Sequence, residues 1–159
     1  MKILVLSDSH SALSPMRQLL QRLQPDVAVH LGDYFDDGAA MAAEFPNVRF
    51  YQVPGNCDRY RAPVDAPEVL VEIIGGVKIM MTHGHRHMVK STLQPLIADA
   101  RRSGVQAVLF GHTHQALCRK DGALWVVNPG SCGYGASGAM LWIENGTICA
   151  CRIIRQADL

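Results

Sequence analysis

Three stretches of the chain, "KILVL" (2–6), "DVAVHL" (26–31) and "VQAVLF" (105–110), are apolar almost continuously rather than at every second position. A strand of that kind has to be covered on both faces, and a largely parallel sheet flanked by helices is what covers it. The segments between them fit that demand. Ser14 and Pro15 read as the N-cap and first residue of a helix through "MRQLLQRL", which Pro25 stops. "GAAMAAEF" (38–45) reads as a short helix and "VRFYQV" (48–53) as a third strand. "EVLVEII" and "VKIMMT" are strands around the Gly75-Gly76 turn, and "STLQPLIADARRS" is a helix with Pro95 in its first turn or at a kink. The last part is strand and turn throughout: "ALCRK", "ALWVV", "AMLWI" and "TICACRII", with turns at Asp121-Gly122 and Asn145-Gly146. The chain therefore starts as βαβ units of an α/β fold and is expected to finish as an antiparallel meander.

At 159 residues, 48% hydrophobic and 18% charged, the chain has the make-up of one globular domain spanning 1–159. Such a length buries a full core without disulfide or metal staples. A formal charge of +1 and a pI near 7.7 give no global attraction for nucleic acid or a membrane surface. The five cysteines form no CxxC pair, which predicts free thiols in a reducing compartment. Cys149 and Cys151 alternate, so both are expected as small buried groups on one strand face. No stretch approaches the ~18 apolar residues of a membrane span. "MKILVLSDSH" loses its apolar character at Ser7-Asp8, and no small-residue cleavage site follows. It reads as a strand, and a cytoplasmic protein is expected.

The ends of the apolar runs carry the chemistry. After "KILVLS" stand Asp8-Ser9-His10; after "DVAVHL", Gly32-Asp33; after "VRFYQV", Pro54-Gly55-Asn56-Cys57-Asp58. Behind "VKIMMT" come His83-Gly84-His85, and behind "VQAVLF" come Gly111-His112-Thr113-His114. Two imidazoles serve neither a hydrophobic core nor a turn, where Asn or Asp does better. In open α/β sheets, ligands bind outside the carboxyl ends of strands, which brings all these groups to one site. Each motif alone is weak; their recurrence at strand ends is not.

Taken in order, D-x-H, G-D, G-N-C-D, H-G-H and G-H-T-H resemble the calcineurin-like metallophosphoesterase superfamily, and within it the small YfcE-type phosphodiesterases. "NPGS" (128–131) also resembles a turn of that subgroup. The resemblance spans essentially the whole chain and implies a four-layer α/β/β/α sandwich holding two divalent transition-metal ions. It implies Asp8, His10 and His114 on one ion, Asn56, His83 and His112 on the other, and Asp33 bridging both. A carboxylate has two oxygens and can join ions roughly 3.5–4 Å apart. Imidazoles, carboxylates and an amide favour a borderline transition metal, Mn²⁺, Fe²⁺, Co²⁺, Ni²⁺ or Zn²⁺, rather than Mg²⁺ or Ca²⁺; Mn²⁺ is the ion expected. The implied reaction is hydrolysis of a small phosphodiester by a metal-bridging hydroxide, and the candidate catalytic group is Asp33, Asn56, Asp58 and His85. Two ions, two carboxylates and that hydroxide leave roughly one positive charge to attract and stabilise a phosphate. Gly111 would permit close backbone approach between the two histidines and the rest. Small relatives of this kind form dimers or tetramers, so a homo-oligomer is implied.

Other residues carry weaker signals. His30, inside a strand, is expected to be a satisfied interior histidine. His85 has two open readings, a contact to substrate or to a ligand, and loop filling. Asp58 either orients Asn56 or a neighbouring ligand, or serves a plain turn. His87 is expected to be exposed and incidental, Asp36 and Asp37 to be solvated loop residues, and Ser131 to shape a turn. Two departures from the family pattern stand out: Ser11 after D-x-H, and Cys57 where much of the superfamily has histidine. That histidine contacts the phosphate and helps protonate the leaving group, a task for which a thiol is a poor donor. The loops at 34–38, 59–67 and 85–91, placed to select a substrate, carry no readable motif. A non-catalytic scaffold resembling the retromer subunit of this fold is the alternative reading. Such a protein usually has a degraded ligand set, whereas here every ligand position holds a competent group.

Overall fold

A computed structural model describes residues 1–159. The first half is β1 (Lys2–Leu6), α1 (Leu13–Leu23), β2 (Val27–His30), α2 (Phe35–Glu44), β3 (Arg49–Gln52), β4 (Val69–Ile74) and β5 (Val77–Thr82). A 3-10 turn at His85–His87 follows, then α3 (Gln94–Arg102), β6 (Ala107–Leu109), β7 (Leu117–Asp121) and β8 (Leu124–Asn128). The chain closes with α4 (Cys132–Gly135), β9 (Ser137–Glu144), β10 (Thr147–Arg155) and a short 3-10 turn at Gln156–Asp158. Two five-stranded sheets result, in the orders β10-β9-β1-β2-β3 and β4-β5-β6-β8-β7. β1, β2 and β3 run parallel, as do β5, β6 and β8.

The continuous apolar runs account for the layering. Successive residues on a strand face opposite sides, so each run feeds two cores. Ile3, Val5 and Val29 meet Ile79, Met81 and Leu109 in the core between the sheets. Leu4, Leu6 and Ala28 face the other way, against Met16, Leu19, Leu20 and Met41 of α1 and α2. Met80, Val108 and Val126 pack on Leu96, Ile97 and Ala100 of α3. Helix, sheet, sheet, helix is the α/β/β/α sandwich. Burying each such side chain contributes on the order of 1.5–3 kcal/mol.

Several sequence expectations are corrected. α1 begins at Leu13 with Ala12 as N-cap and no side-chain cap, so Ser14 is inside the helix and Pro15 in its first turn. Proline is tolerated there because first-turn N–H groups have no intrahelical partner. α2 begins at Phe35, which places Asp36 and Asp37 in a helical first turn rather than a loop. Asp37 is buried and accepts a hydrogen bond from the Ser11 backbone N–H at 2.8 Å. The last strands are not one meander. β7 and β8 pair as a hairpin on the second sheet, while β9 and β10 close the first, β9 running antiparallel to β1. Turn chemistry revealed each hairpin but not which sheet receives it. The cysteines are not all free: Cys118 and Cys151 form a disulfide, while Cys57, Cys132 and Cys149 are free. An irregularity in the pairing between Ile148 and Ala150 breaks the alternation, leaving Cys149 exposed while Cys151 packs against the inter-sheet core.

Candidate metal centre

β1, β2 and β3 deliver Asp8, His10, Asp33 and Asn56 from one sheet; β5 and β6 deliver His83, His112 and His114 from the other. Because these strands are parallel within each sheet, all their C-terminal loops open at the same end of the sandwich. Hydrogen bonds stitch the loops across the gap. His112 N–H donates to Asp8 Oδ2 at 3.1 Å, and Ser7 Oγ donates to the same oxygen at 2.5 Å. That leaves Asp8 Oδ1 directed at His114 Nε2, 3.1 Å away. Asp33 accepts the Cys57 N–H on Oδ1 at 3.0 Å, with His83 Nε2 3.5 Å from that oxygen and His10 Nε2 3.9 Å from Oδ2. Its carboxylate thus stands between the two halves of the cluster.

His83 defines the second half. Its Nδ1 lies 2.7 Å from the Leu31 carbonyl, which can only accept, so Nδ1 carries the hydrogen. That leaves Nε2 directed into the cluster. It faces Asn56 Oδ1 at 3.1 Å and His112 Nδ1 at 3.2 Å. Burial and the neighbouring His83 hold His112 down to about 4, so its imidazole stays neutral at ordinary pH. Burial alone would raise the Asp33 carboxyl, but His83 and the Cys57 N–H outweigh it and keep it ionised.

His83 Nε2 and Asn56 Oδ1 converge at 3.1 Å, and His10 Nε2 is buried with no partner. Ligand atoms each about 2.1 Å from one ion and at right angles lie about 3 Å apart. Asp8, His10 and His114 form one group of ligand atoms all within 4.8 Å of one another, and Asp8, Asp33 and His83 form a second. The residues therefore fit divalent metal, with N and O donors of the kind a borderline transition ion takes.

Backbone geometry is given over to this arrangement. Of the eleven non-glycine residues with positive φ, seven stand here: Asp8, His10, Ser11, Asp33, Tyr34, His112 and His114. Asp and His tolerate that region better than most, yet it costs of order 1–2 kcal/mol for a residue with a Cβ. The close approach expected at Gly111 is present, since a Cβ there would overlap Ser7 Oγ and come within 2.8 Å of Asp8 Oδ2.

The remaining candidates fall in different places. Asp58 is buried and does not touch the Asn56 side chain; Oδ1 accepts from Tyr34 and Phe35 N–H at 2.8 Å each, and Oδ2 from Gly55 N–H at 2.7 Å. It ties the Gly-Asp loop to the Gly-Asn loop and caps α2. His85 lies beside the cluster, its ring centroid 5.4 Å from that of His83, and burial lowers its pKa. It lines a cleft of about 290 Å³ with Pro54, Asn56, Arg59, Val64 and Glu68. His30 is wholly buried with Nε2 3.1 Å from Ser9 Oγ, but its Nδ1 has no partner, so it is only half satisfied. His87 is not incidental: it pairs with Asp99 of α3 at 3.0 Å. Ser131 caps α4 through the Tyr134 N–H and donates to the Asp8 carbonyl, both at 2.9 Å. Sequence reasoning missed Tyr34 and Tyr134, whose rings lie 5.3 and 5.1 Å from the His10 ring. Their signal was position alone, one after Gly-Asp and one between two glycines.

A site of clustered histidines and carboxylates at the strand ends of an α/β/β/α sandwich defines a metal-dependent phosphoesterase class. The chain belongs to the calcineurin-like phosphoesterase superfamily, whose domain profile matches residues 1–145. It is 31% identical over 134 residues to a probable metallophosphoesterase of Bacillus subtilis, covering 82% of this chain and 75% of that one. A phosphodiesterase of Methanocaldococcus jannaschii is 26% identical over 147 residues, covering 83% of this chain and 84% of that one. Among solved structures, a protein of Streptococcus pneumoniae described as a predicted phosphoesterase superposes with a TM-score of 0.73 at 28% identity, over 91% of this chain and 83% of that one. Vacuolar protein sorting 29 of Cryptosporidium parvum shares the fold, with a TM-score of 0.74 at 18% identity over 98% of both chains. No helix is long and apolar enough to cross a membrane.

Proposed function

We propose that the protein is a phosphodiesterase whose site holds two divalent transition-metal ions. Asp8, His10 and His114 would hold one, Asn56, His83 and His112 the other, with Asp33 shared. When bound, the ions would supply Lewis acidity toward the phosphoryl oxygens and activate water as the nucleophile. The observation that carries this reading is the convergence of His83 Nε2, Asn56 Oδ1 and His112 Nδ1 at 3.1 and 3.2 Å, beside Asp33 and a buried, unpartnered His10 Nε2. Mn²⁺, Ni²⁺, Co²⁺, Fe²⁺ and Zn²⁺ are all compatible with these donors, Mn²⁺ being the first choice.

The chain's own groups do the rest. Asp8 and Asp33 fix and partly neutralise the cations. Leu31 sets the His83 tautomer, and Asp58 fixes the loop that presents Asn56. The cleft bordered by Asn56 and His85 offers room for one alcohol arm of a small diester. The relative named a phosphodiesterase supports the choice of a diester. A scaffold role of the kind expected for a chain with a degraded ligand set is less well supported, because every ligand position here is competent. The deciding experiment is a panel of phosphodiesters, including cyclic nucleotides, assayed with each candidate metal and with metal content measured. Turnover of none of them by a protein that carries both metals would defeat the enzyme reading in favour of the scaffold.

A further inference from the structure

Tyr134 is 75% exposed, although it stands directly beside the buried metal-ligand cluster. Its ring stacks on His114 at a centroid distance of 5.4 Å and an interplanar angle of 26°, and leans over His10 at 5.1 Å. Apart from those two contacts the ring stands in water at the mouth of a polar site. Its backbone is nonetheless held rigidly. Cys132 and Gly133 N–H donate to the Ser7 and Asp8 carbonyls at 2.9 and 3.1 Å, and Ser131 Oγ accepts the Tyr134 N–H. Any Cβ at position 133 would overlap the Ser9 carbonyl, so the short helix α4 lies flat against the loop that carries Asp8 and His10.

Tyr34 extends the same wall from the opposite loop. Its ring is 5.3 Å from His10, and the Arg61 guanidinium lies 4.0 Å over it, itself paired with Asp36 at 2.9 Å. Arg61 occupies Tyr34, whereas Tyr134 keeps an open surface. Tyrosine suits such a platform because its large ring is immobilised by fixing only two torsions.

We propose that Tyr134 forms a stacking platform for a planar aromatic group carried on the phosphate, either a simple aryl ring or a nucleobase. This rests on the metal centre proposed above and adds the substrate class. A phosphate seated at the cations places its organic arm beside His10 and His114, within reach of the Tyr134 ring. Stacking on an aromatic side chain is tolerant of ring identity and changes affinity by about tenfold or more.

The test compares ligand pairs that differ only in the ring, by titration calorimetry on the metal-loaded protein. Phenylphosphonate is set against methylphosphonate, and adenosine monophosphate against ribose 5-phosphate. In the wild type at least one ring-bearing ligand should bind about tenfold tighter than its partner. The first pair responding alone identifies an aryl source; a response of the second identifies a nucleobase. Tyr134→Phe should keep the ratio and Tyr134→Ala should abolish it, with metal content measured for both. Equal affinities within both pairs, or a ratio that survives Tyr134→Ala, would overturn the platform. Loss of metal and of all phosphonate binding together in Tyr134→Ala would make the ring a support for His114 and equally overturn it. Failure of the metal-loaded wild type to bind any of these ligands would instead defeat the reading of the metal centre as a phosphate-binding site, and the platform with it.

Discussion

His83 of one sheet donates its Nδ1 hydrogen to the carbonyl of Leu31 in the other, at 2.7 Å. The bond does two things at once. It satisfies a carbonyl at the end of β2, and it directs the second ring nitrogen at Asn56 and His112. Histidine ligands of metals are generally oriented in this way through their far nitrogen. Packing of the two sheets against each other is therefore also the device that prepares the site.

Metal removal should be costly twice over. Without cations the Asp8 and Asp33 carboxylates and the converging His83 and Asn56 ligand atoms lose the positive charge that joins them. Chelation should abolish phosphoesterase activity and lower the melting temperature, and Mn²⁺, Ni²⁺ or Co²⁺ should restore both. Ligand at about a hundred times its dissociation constant contributes about 2.7 kcal/mol of stability. Calorimetry of apo and reloaded protein measures it, and undiminished turnover by the apo protein would contradict the two-metal reading.

Asp33 and His30 are neighbouring buried polar residues with different expected roles. Asp33→Asn removes the charge between the two halves of the cluster and should lower kcat by at least ~10²-fold. His30 has its one side-chain hydrogen bond with Ser9 and none with a proposed ligand, so His30→Asn should mainly cost stability, of order 1–3 kcal/mol for disturbing a buried polar contact. Equal activity of the two variants, assayed at saturating metal, would show the ligand assignment to be wrong.

The contrast between those two residues shows what the sequence made legible. A strand ending in Gly-Asp or Gly-His-Thr-His announces itself, because apolar runs are short and their ends are marked. Asp58 does not: its partners Tyr34 and Phe35 lie 24 and 23 residues away and offer only backbone N–H groups, which leave no trace in side-chain chemistry. Nor did the pairing of His87 with Asp99 show, since it depends on how α3 lies against the 3-10 turn. Cys118 and Cys151 are 33 residues apart on different sheets, and no spacing rule joins them. Local order was readable; contacts set by sheet assignment were not.

Asp58→Asn tests the clamp. A carboxylate accepts three N–H bonds here, while an amide has one acceptor oxygen and turns its NH₂ toward at least one of the same donors. Hydrogen bonds to a charged group are worth about 1.5–3 kcal/mol each. Urea unfolding should show a loss on that scale, and metal affinity should fall because the Asn56 loop loosens. A variant as stable as the wild type, with unchanged metal affinity, would remove Asp58 from any positioning role.

Asp99 supplies a pH prediction away from the metals. Hydrogen bonds from His87 and then Arg102 hold its carboxyl below the usual carboxylate range. A carboxyl depressed on folding contributes stability above its unfolded pKa and loses it as pH falls through the folded value. Asp99→Asn should therefore be less stable than the wild type at neutral pH, and the gap should narrow below about pH 4. Melting curves of both proteins across that range check the sign; a gap that widened on acidification would reverse it.

Cys57 bears on substrate preference. It is exposed, its N–H is given to Asp33, and partial desolvation on its inner side together with the Asp33 charge holds its thiol above the ordinary value. The group is thus a neutral, weak donor where a histidine would be a proton source. His85 is no ready substitute, because burial and the adjacent His83 lower its pKa and favour the neutral ring. General acid help contributes ~10²–10⁴-fold and matters most for poor leaving groups. Diesters with aryl or otherwise stabilised leaving groups should accordingly be preferred over alkyl monoesters, whose additional negative charge a site of only about one net positive charge is less equipped to hold. The exposure of position 57 leaves room for a larger ring. Cys57→His should raise monoesterase relative to diesterase kcat/KM, most of all for alkyl esters. Equal wild-type rates on alkyl monoesters and aryl diesters, or a ratio unmoved by the substitution, would show that the thiol does not set the preference.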